Sequence, residues 1–522
     1  MSILAAALRP WTTLFGRGSE EELEHARQET LLETPEPSPS LEPDDEVYPV
    51  HYFDDTLINR SMIMCWTMKF DEVLDPAALH TALARVLEIG DWRKLGGRLK
   101  LNSRRKLEIH VPEKFTEERP AVRYSHAKFE INIGEHPLAS QFPRATDTPS
   151  LNPGPEHFTS LAKDPASANS IYDYLRNDEP QLALHIVSFQ DATIVSLSWP
   201  HTLTDAMGRY ALVQAWSQVL AGKESEVVPL LGARENVLDP LYEDAGPDVE
   251  EEPYALADQM LGPWQMLMFV LYFFIDVLWT SRVLRTIVLP QPAVATLVQE
   301  ARDDVSKIHV ESGPAFVSTG DVLTAWATRL AASELPMDSA RPVMIGTVFE
   351  LRSRLKSLFQ SGGAYVQNLV LSATAILPAK ELLGNSLGYV ALRIRQTITE
   401  QTSEAQIRAQ ARLIRECYEK KRHGPGFGKA NNFIVVFSNW LKGDFFNIVD
   451  FSPAVISPTK EKSADGSSGK PVYYHCQTLQ KMPTSSNIFN ILGRDRSGSV
   501  WMTGYLPLSV WTTVQKELDR LA

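Results

Sequence analysis

The sequence predicts an α/β protein composed of two folded units. In each half of the chain, apolar runs typical of strands alternate with helical patterns. The 522 residues exceed one ordinary domain. An acidic and then apolar stretch over residues 240–285 separates two regions of similar size. We therefore expect an acidic, poorly ordered tail over 1–46, a first unit over 47–239, a connection over 240–285 and a second unit over 286–522.

The first unit opens with a strand and a well-delimited helix. Ser61–Phe70 is rich in apolar and aromatic residues, which is typical of a strand. Asp75 is a good helix N-cap, Pro76 suits the first turn, and Gly90 is a stop signal. The apolar residues of this segment recur on one helix face, at Leu79, Leu83, Val86 and Leu87.

The centre of the first unit is a hairpin followed by a helix. Residues 145–180 are rich in Pro, Ser, Asn and Asp and predict a long irregular excursion. Gln181–Phe189 and Thr193–Trp199 then predict two paired strands. The second strand runs directly into His201, and Ala206–Leu220 has a helical period.

The second unit repeats this alternation. The pattern predicts a capped helix from Ser318 to Leu330, a strand over Val343–Leu351, one long helix over Thr397–Lys421 and a strand over Asn432–Phe437. The segment Lys460–Lys470 has the composition of a flexible loop.

The net charge of −13 argues against a nucleic-acid partner, because backbone binding requires clustered Lys and Arg. Glu20–Glu46 contains eleven acids against one arginine, and Asp239–Glu252 contains seven acids and no base. Both stretches are also rich in proline, so they predict solvated connections rather than binding faces. The folded body is therefore much closer to neutral.

The cysteines argue against a disulfide framework and a cysteine-based zinc site. Cys65, Cys417 and Cys476 lie far apart and form no CxxC pair, which fits a reducing compartment. The apolar run Ile3–Leu8 has no basic residue ahead of it and is a poor secretory signal. We expect a cytoplasmic protein without a bound metal.

The segment Met260–Trp279 is nearly long enough to span a bilayer. Pro263, Gln265 and Asp276 interrupt it, and a carboxylate in mid-span is costly. A buried or interfacial helix is therefore the favoured prediction, followed by a helix lying on a membrane surface. In either case the apolar segment would suit a lipophilic substrate.

The residues that carry chemistry follow the central hairpin. A strand ends, His201 lies on the turn, and Asp205 opens the next helix. Imidazole is the side chain whose pKa suits proton removal from a hydroxyl near neutral pH. Asp205 is placed to brace the turn rather than to react. The alternative is that His201 is a core histidine with its hydrogen bonds satisfied.

The segment HTLTDAMG resembles the HxxxDxxG signature of the BAHD-type acyltransferases, a family that includes fungal trichothecene-type acetyltransferases. Further similarities to this family follow one another along the chain, in family order. They are LGGRL over 95–99, STGDVLTAW over 318–326, FELRSRL over 349–355, YVQN over 365–368 and FSNW over 437–440. Each is loose alone, and their order and spacing make the combination specific.

The resemblance implies a two-domain fold of the chloramphenicol acetyltransferase type, each domain a mixed sheet with flanking helices and an active-site channel at their interface. It implies a monomer with acyl-CoA, chiefly acetyl-CoA, as co-substrate and a small-molecule alcohol as acceptor. By analogy the acceptor is a hydroxylated terpenoid or polyketide. His201 would take the proton of the acceptor hydroxyl as its oxygen attacks the thioester, without an acyl-enzyme.

The resemblance also implies structural roles for the rest of the motif, including Gly208. Asp205 would pair with an arginine, Arg352 or Arg354, and so hold two loops in register. The alternative for these arginines is surface charge on a strand. The position of Asp450 corresponds to the family's DFGWG motif, of which this chain keeps only Asp and Phe.

Two further positions are candidates for binding. Ser438 and Trp440 match family positions near the developing oxyanion, and local packing is the alternative. The basic, glycine-rich stretch that begins with Lys420, Lys421 and Arg422 could meet the phosphates of coenzyme A, and a solvated turn is the alternative.

Two competing hypotheses remain. A free-standing condensation-type domain shares the fold, but its HHxxxDG motif would place histidine and glycine where this chain has Pro200 and Ala206. A catalytically silent relative that binds a ligand is the other, and the intact His201 and Asp205 argue against it.

Overall fold

The computed structural model describes most of the chain. The described residues are 45–242, 252–278, 280–308, 315–421, 423–457, 468–480 and 487–522. The predicted acidic tail lies outside them apart from its last two residues, and most of the predicted loop Lys460–Lys470 also lies outside them.

The described elements alternate between strands and helices in both halves. The strands are β1 Glu46–Pro49, β2 Ile63–Phe70, β3 Val73–Leu74, β4 Arg98–Leu101, β5 Leu107–Val111, β6 Arg123–Lys128, β7 Ser150–Pro153, β8 Ala183–Ser188, β9 Thr193–Pro200, β10 Arg282–Leu289, β11 Pro342–Glu350, β12 Val370–Pro378, β13 Phe433–Asn439, β14 Val455–Ser457, β15 Tyr473–Thr478, β16 Asn487–Arg494 and β17 Val500–Pro507. The helices are α1 Leu57–Arg60, α2 Pro76–Val86, α3 Thr159–Ala162, α4 Ile171–Arg176, α5 Ala206–Leu220, α6 Pro263–Leu278, α7 Gln291–Ser306, α8 Thr319–Ala331, α9 Ala379–Gly384, α10 Leu387–Gln401, α11 Glu404–Lys421, α12 Phe445–Ile448 and α13 Leu508–Leu521.

Two mixed sheets form the framework. The first has the strand order β15-β2-β9-β8-β6, and the second has the order β12-β11-β13-β16-β17-β10-β7. Parallel pairs join β6 to β8 in the first sheet, and β11 to β13 and β13 to β16 in the second. Smaller sheets pair β1, β5 and β4, and β14 with β3. The predicted α/β class with two mixed sheets is confirmed.

The two sheets exchange strands along the chain. Strand β7 precedes the connection over 240–285 but pairs with β10 of the second sheet. Strand β15 follows that connection but pairs with β2 of the first sheet. A single cut in the sequence therefore cannot separate the two sheets, and each unit closes its sheet with a segment from the other.

Each sheet packs helices over an apolar core. In the first core α2 lies against α5, and the buried Trp216 of α5 donates its indole N–H to the Leu79 carbonyl at 2.9 Å. The second core is built from α7, α8, α10 and α13 over β10, β11, β13, β16 and β17. These cores hold the ends of β9 and β13 in place, where the candidate residues lie.

Elements with strong local signals form as the sequence predicts. Helix α5 spans Ala206–Leu220, and Ser318 caps α8 through a reciprocal capping box with Asp321. Strands β8 and β9 pair antiparallel from Ala183↔Ser198 to Ser188↔Thr193. The predicted hairpin is confirmed.

Two helix predictions are wrong in extent. Helix α2 ends at Val86 rather than at Gly90, because the chain tightens into i→i+3 hydrogen bonds, with Glu88 N donating to Arg85 O at 3.1 Å. The predicted long helix over Thr397–Lys421 is two helices, α10 and α11. The side chain of Gln401, the last residue of α10, accepts from the backbone N–H of Thr374 in β12 at 2.8 Å and donates to its carbonyl at 3.1 Å. These two hydrogen bonds fix the end of α10.

The predicted irregular excursion contains short elements. Within residues 145–180 the chain forms β7, α3 and α4. The capping box of Ser170 and Asp173 starts α4. The Pro- and Asn-rich composition therefore marks a series of short elements rather than an unstructured loop.

Within the apolar segment Met260–Trp279 the chain forms helix α6, which spans Pro263–Leu278 and is not buried. None of its side chains from Pro263 to Asp276 is fully covered, and Trp264 is 67% exposed. Asp276 pairs with Arg341 at 2.5 Å, which compensates its charge. Among the described helices, none combines the length and apolar character needed to cross a bilayer. The favoured prediction is a buried or interfacial helix, and the exposure of α6 shows that its buried form is wrong.

Candidate functional site

His201 lies on the turn between β9 and α5, and both halves of the chain hold its backbone. Its N–H donates to the carbonyl of Met62, which precedes β2, at 2.9 Å. Its own carbonyl accepts from the side-chain amide of Asn368 at 2.8 Å. The position of the histidine therefore depends on the contact between the two units.

The imidazole of His201 lies in a mostly buried setting. Its Nδ1 is buried and has no hydrogen-bond partner of ordinary geometry in the described part of the chain. The residue as a whole keeps part of its surface exposed. Burial lowers the pKa of His201, while its own backbone and the charge of Asp205 act in the opposite direction. The ring is therefore neutral near pH 7, which is the form that can accept a proton.

Asp205 has its hydrogen-bonding capacity filled by protein donors. Its carboxylate receives two N–H groups from Arg352 at 2.9 and 3.0 Å. It also accepts from the backbone N–H of Gly208 at 2.8 Å and of Leu369 at 2.9 Å. The side chain is 4% exposed. A buried carboxylate with four donors braces the turn and is not available to a substrate.

Arg352 connects helix α5 to the segment after β11. Besides Asp205, its guanidinium donates to the carbonyls of Tyr365, at 2.9 and 3.1 Å, and of Gln367, at 2.8 Å. Of the two arginines considered from the sequence, Arg352 makes the pair, whereas Arg354 is exposed. The arginine therefore holds two loops together as well as neutralising a buried charge.

Gly208 is required by the closeness of this contact. A Cβ atom built on Gly208 would lie 2.3 Å from the carbonyl oxygen of Val366 and 2.1 Å from the hydroxyl of Thr204. Neither distance is tolerable for a side-chain carbon. Val366 lies between the two residues whose carbonyls Arg352 holds, Tyr365 and Gln367. The glycine thus lets α5 approach that segment closely.

Asp54 is a site residue that the sequence analysis missed. It is 2% exposed and accepts from both the backbone N–H and the side-chain amide of Asn368, at 2.7 and 2.8 Å. Because the same amide also donates to His201 O, Asp54 orients the residue that holds the histidine. Burial raises the pKa of Asp54 to about 6. No local pattern distinguishes this aspartate from Asp55 beside it.

Ser438 and Trp440 lie at the end of β13, between β11 and β16. The indole N–H of Trp440 donates to the hydroxyl oxygen of Ser438 at 2.7 Å. Both residues are partly exposed. The indole donor is therefore already used within the pair, and the serine O–H is the group left to donate to a ligand.

The remaining candidates lie in peripheral contacts. Lys420 is exposed and pairs with Glu416 one helical turn away at 2.7 Å, while the side chain of Lys421 and all of Arg422 lie outside the described residues. Asp450 accepts from the hydroxyl and N–H of Ser452 at 2.6 and 3.1 Å. This aspartate therefore organises a local turn.

The residue after Asp450 fixes that turn to the first unit. Phe451 is buried and packs on Trp216 of α5 and Phe70 of β2, with ring centroids at 4.6 and 5.6 Å. Phe451, which this chain keeps from the DFGWG motif, thus anchors the second half of the chain to the first core.

The geometry defines a two-domain transferase-type protein with a histidine at the contact of its halves. Residues 156–468 match the transferase family. The chain belongs to this family, and within it to the BAHD-type and chloramphenicol acetyltransferase-like enzymes. It is an acyl-transferring enzyme.

Curated relatives match over nearly the full length. The chain is 37% identical to O-acetyltransferase PaAT-2 of Phomopsis amygdali, over 92% of this chain and 99% of that protein. It is 38% identical to acetyltransferase BOT5 of Botryotinia fuckeliana, over 91% of each.

Solved structures show the same fold at low identity. TRI101 of F. graminearum, solved with coenzyme A and T-2 mycotoxin, is 14% identical and has a TM-score of 0.62, covering 91% of this chain and 98% of that one. Vinorine synthase is 13% identical, with a TM-score of 0.54 and coverage of 93% and 95%. These similarities confirm the predicted two-domain fold.

Proposed function

We propose that this enzyme transfers an acetyl group from acetyl-CoA to a hydroxyl group of a small secondary metabolite, with His201 as general base. One observation carries the proposal: His201, a partly exposed residue with a neutral imidazole, is held at the contact of the two units by backbone hydrogen bonds to both. The ring accepts the hydroxyl proton as the oxygen attacks the thioester carbonyl. Collapse of the tetrahedral intermediate releases the thiolate of coenzyme A, which takes the proton back from the imidazolium.

The names of the relatives support an oxygen acceptor and an acetyl donor. PaAT-2 is an O-acetyltransferase and BOT5 an acetyltransferase, and TRI101 was solved with a mycotoxin beside coenzyme A. For this chain we propose a hydroxylated terpenoid or polyketide as the acceptor.

Ser438 is proposed to stabilise the negative charge that develops on the thioester oxygen. Trp440 fixes the serine oxygen by donating to it, so the serine O–H is free to point at the reacting carbonyl. Ser438→Ala should then lower kcat by about 10²–10³, the cost of one lost oxyanion donor. Trp440 supports this group rather than donating to the substrate itself.

The main test is thiol release with a matched histidine control. Purified protein is offered acetyl-CoA with a panel of hydroxylated terpenoids and polyketides, and free coenzyme A is measured. His201→Ala should keep the melting temperature and lower turnover by about 10²–10⁴. His157→Ala, an exposed histidine on a short helical turn, should change neither. Full activity of His201→Ala would refute the assigned base.

The two competing hypotheses give different results in the same assay. A catalytically silent ligand-binding relative would bind members of the panel without releasing thiol from acetyl-CoA. A condensation-type enzyme would ignore acetyl-CoA and use an acyl group carried on a phosphopantetheinyl carrier protein.

We also propose that α6 rests on the surface of an anionic membrane on the cytoplasmic side. Three of its exposed apolar residues, Trp264, Leu271 and Ile275, recur at helical spacing. The segment over 423–429, which carries Lys429, is attached beside it, because Leu261 N donates to Gly426 O at 2.8 Å. An apolar face beside positive charge fits anionic lipid.

Vesicle binding tests this contact. The protein should sediment with vesicles of phosphatidylcholine and phosphatidylserine more than with phosphatidylcholine alone. Replacing Trp264, Leu271 and Ile275 by serine should abolish this, whereas Met337→Ser, another exposed apolar residue, should not. Equal binding of both variants to the vesicles would refute the role of α6.

Light scattering of the protein without vesicles tests the proposed monomer.

A further inference from the structure

Arg209 is a buried cation without an ionic partner. It lies on α5, one helical turn after Asp205, and is 2% exposed. Its guanidinium Nε and Nη2 are buried and have no hydrogen-bond partner of ordinary geometry in the described part of the chain, where no ion pair of Arg209 is found either. Its guanidinium carbon lies close to four aromatic rings: Trp66 at 4.6 Å, Trp199 at 5.8 Å, Trp440 at 4.7 Å and Phe445 at 4.4 Å.

These rings come from both sides of the contact between the units. Trp66 lies on β2, and Trp199 lies on β9, two residues before His201. Trp440 and Phe445 follow β13 of the second sheet. The cation therefore connects the strand that carries the histidine with the segment that carries Ser438.

The neighbours of Arg209 supply no counter-charge. Burial raises the pKa of the Cys476 thiol, and Arg209 offsets this only in part. Burial also raises the pKa of the Tyr474 hydroxyl, so both groups are neutral near pH 7. Cation–π contacts compensate part of the lost hydration of the guanidinium. An apolar side chain of similar volume would stabilise the core at least as well.

We propose that Arg209 is a positioning residue for acyl transfer, which fixes the Trp440–Ser438 pair relative to His201. This inference rests on the proposed function. The connection runs from the guanidinium to the face of the Trp440 ring, and from the indole N–H of that ring to the Ser438 oxygen at 2.7 Å. On its other side the guanidinium meets Trp199 and so the end of the histidine strand.

The charge of Arg209 has a second effect, on the base itself. The charged groups that surround His201 are Asp205 and Arg209 from α5, Arg352 from the segment after β11, which is paired with Asp205, and Asp54 beside Asn368. Arg209 disfavours the imidazolium, whereas Asp205 favours it. Removing the cation should therefore make the histidine easier to protonate.

Two variants of Arg209 separate positioning from packing. Arg209→Met keeps the volume and removes the charge, whereas Arg209→Lys keeps the charge. We expect Arg209→Met to fold and to lower kcat by about ten- to a hundred-fold with little change in the KM for acetyl-CoA. The acidic limb of its profile of kcat/KM against pH should move to higher pH. Arg209→Lys should recover most of kcat and keep the wild-type limb.

The outcomes distinguish this inference from the proposed function. If Arg209→Met folds with wild-type kcat and an unmoved acidic limb, Arg209 only packs and the inference is wrong. If Arg209→Met does not fold, Arg209→Lys decides: an acidic limb displaced from that of the wild type overturns the inference, and an unchanged limb with most of kcat supports it. A wild type that releases no thiol, or an active His201→Ala, instead refutes the proposed function.

Discussion

The ion pair between Arg352 and Asp205 gives the sharpest prediction about the site. Arg352→Ala removes both N–H groups that Arg352 donates to the carboxylate and leaves a buried negative charge. The Gly208 and Leu369 N–H groups remain. Breaking a buried pair by removing one partner costs about 3–5 kcal/mol. Because two donors remain, we expect a loss near the lower end, about 3 kcal/mol.

The same substitution should reduce catalysis beyond its effect on stability. The arginine also holds the carbonyls of Tyr365 and Gln367, and the next residue, Asn368, holds His201. A small displacement of a catalytic group can cost on the order of 10²-fold in rate. We therefore expect kcat to fall by about 10–10² at a temperature where Arg352→Ala is still folded.

A second buried pair in the same chain serves as the control. Asp321 completes the capping box of Ser318 at the start of α8, is 3% exposed at its side chain, and accepts from Arg395 at 2.7 Å. Urea denaturation followed by tryptophan fluorescence gives the stability of each variant, and thiol release gives kcat. Arg395→Ala should lose comparable stability with kcat unchanged. If the two variants lose kcat equally, or if Arg352→Ala is as stable as the wild type, the reasoning is refuted.

Two further predictions concern packing and pH. Gly208→Ala should destabilise the protein by about 1–3 kcal/mol, because its Cβ would meet the Val366 carbonyl, and a melting temperature equal to that of the wild type would contradict this. The free energy of unfolding should fall as the pH is lowered from 6.5 towards 4, because burial lowers the pKa of His51 to about 4 and of His475 to about 3. Both histidines bind a proton at higher pH in the unfolded chain than in the folded one, so acid favours unfolding. Asp54, whose pKa is raised in the folded protein, binds its proton first in the folded state and therefore opposes this loss of stability below about pH 6. Urea midpoints between pH 4.5 and 7 measure this slope, which should flatten in His475→Leu.

Local structure near the site could be predicted because local chemistry determines it. The bounds of α5 follow from the helical period of its apolar residues and from the capping capacity of Asp205. The pairing of β8 with β9 follows from two short apolar strands joined by a brief turn. Where a side chain reaches into the core, local signals fail, as when Gln401 ends α10 by bonding to β12.

The composition of the site was predictable only where a motif carried it. His201 and Asp205 stand four residues apart, so one turn places both. Asp54 and Arg209 carry no such signature. An aspartate in a loop and an arginine in a helix are ordinary surface residues until packing buries them. The partners of these two residues, Asn368 for Asp54 and the aromatic rings for Arg209, are known only from the folded structure.

The sequence by itself determined the strand–turn–helix segment that presents the histidine, which is the general base in the proposed function. Tertiary structure decided what holds that segment. Asp205 meets Arg352 across 147 positions of sequence, and Asp54 meets Asn368 across 314. No local preference can specify such pairs, because they form only when the fold brings distant segments into one buried contact.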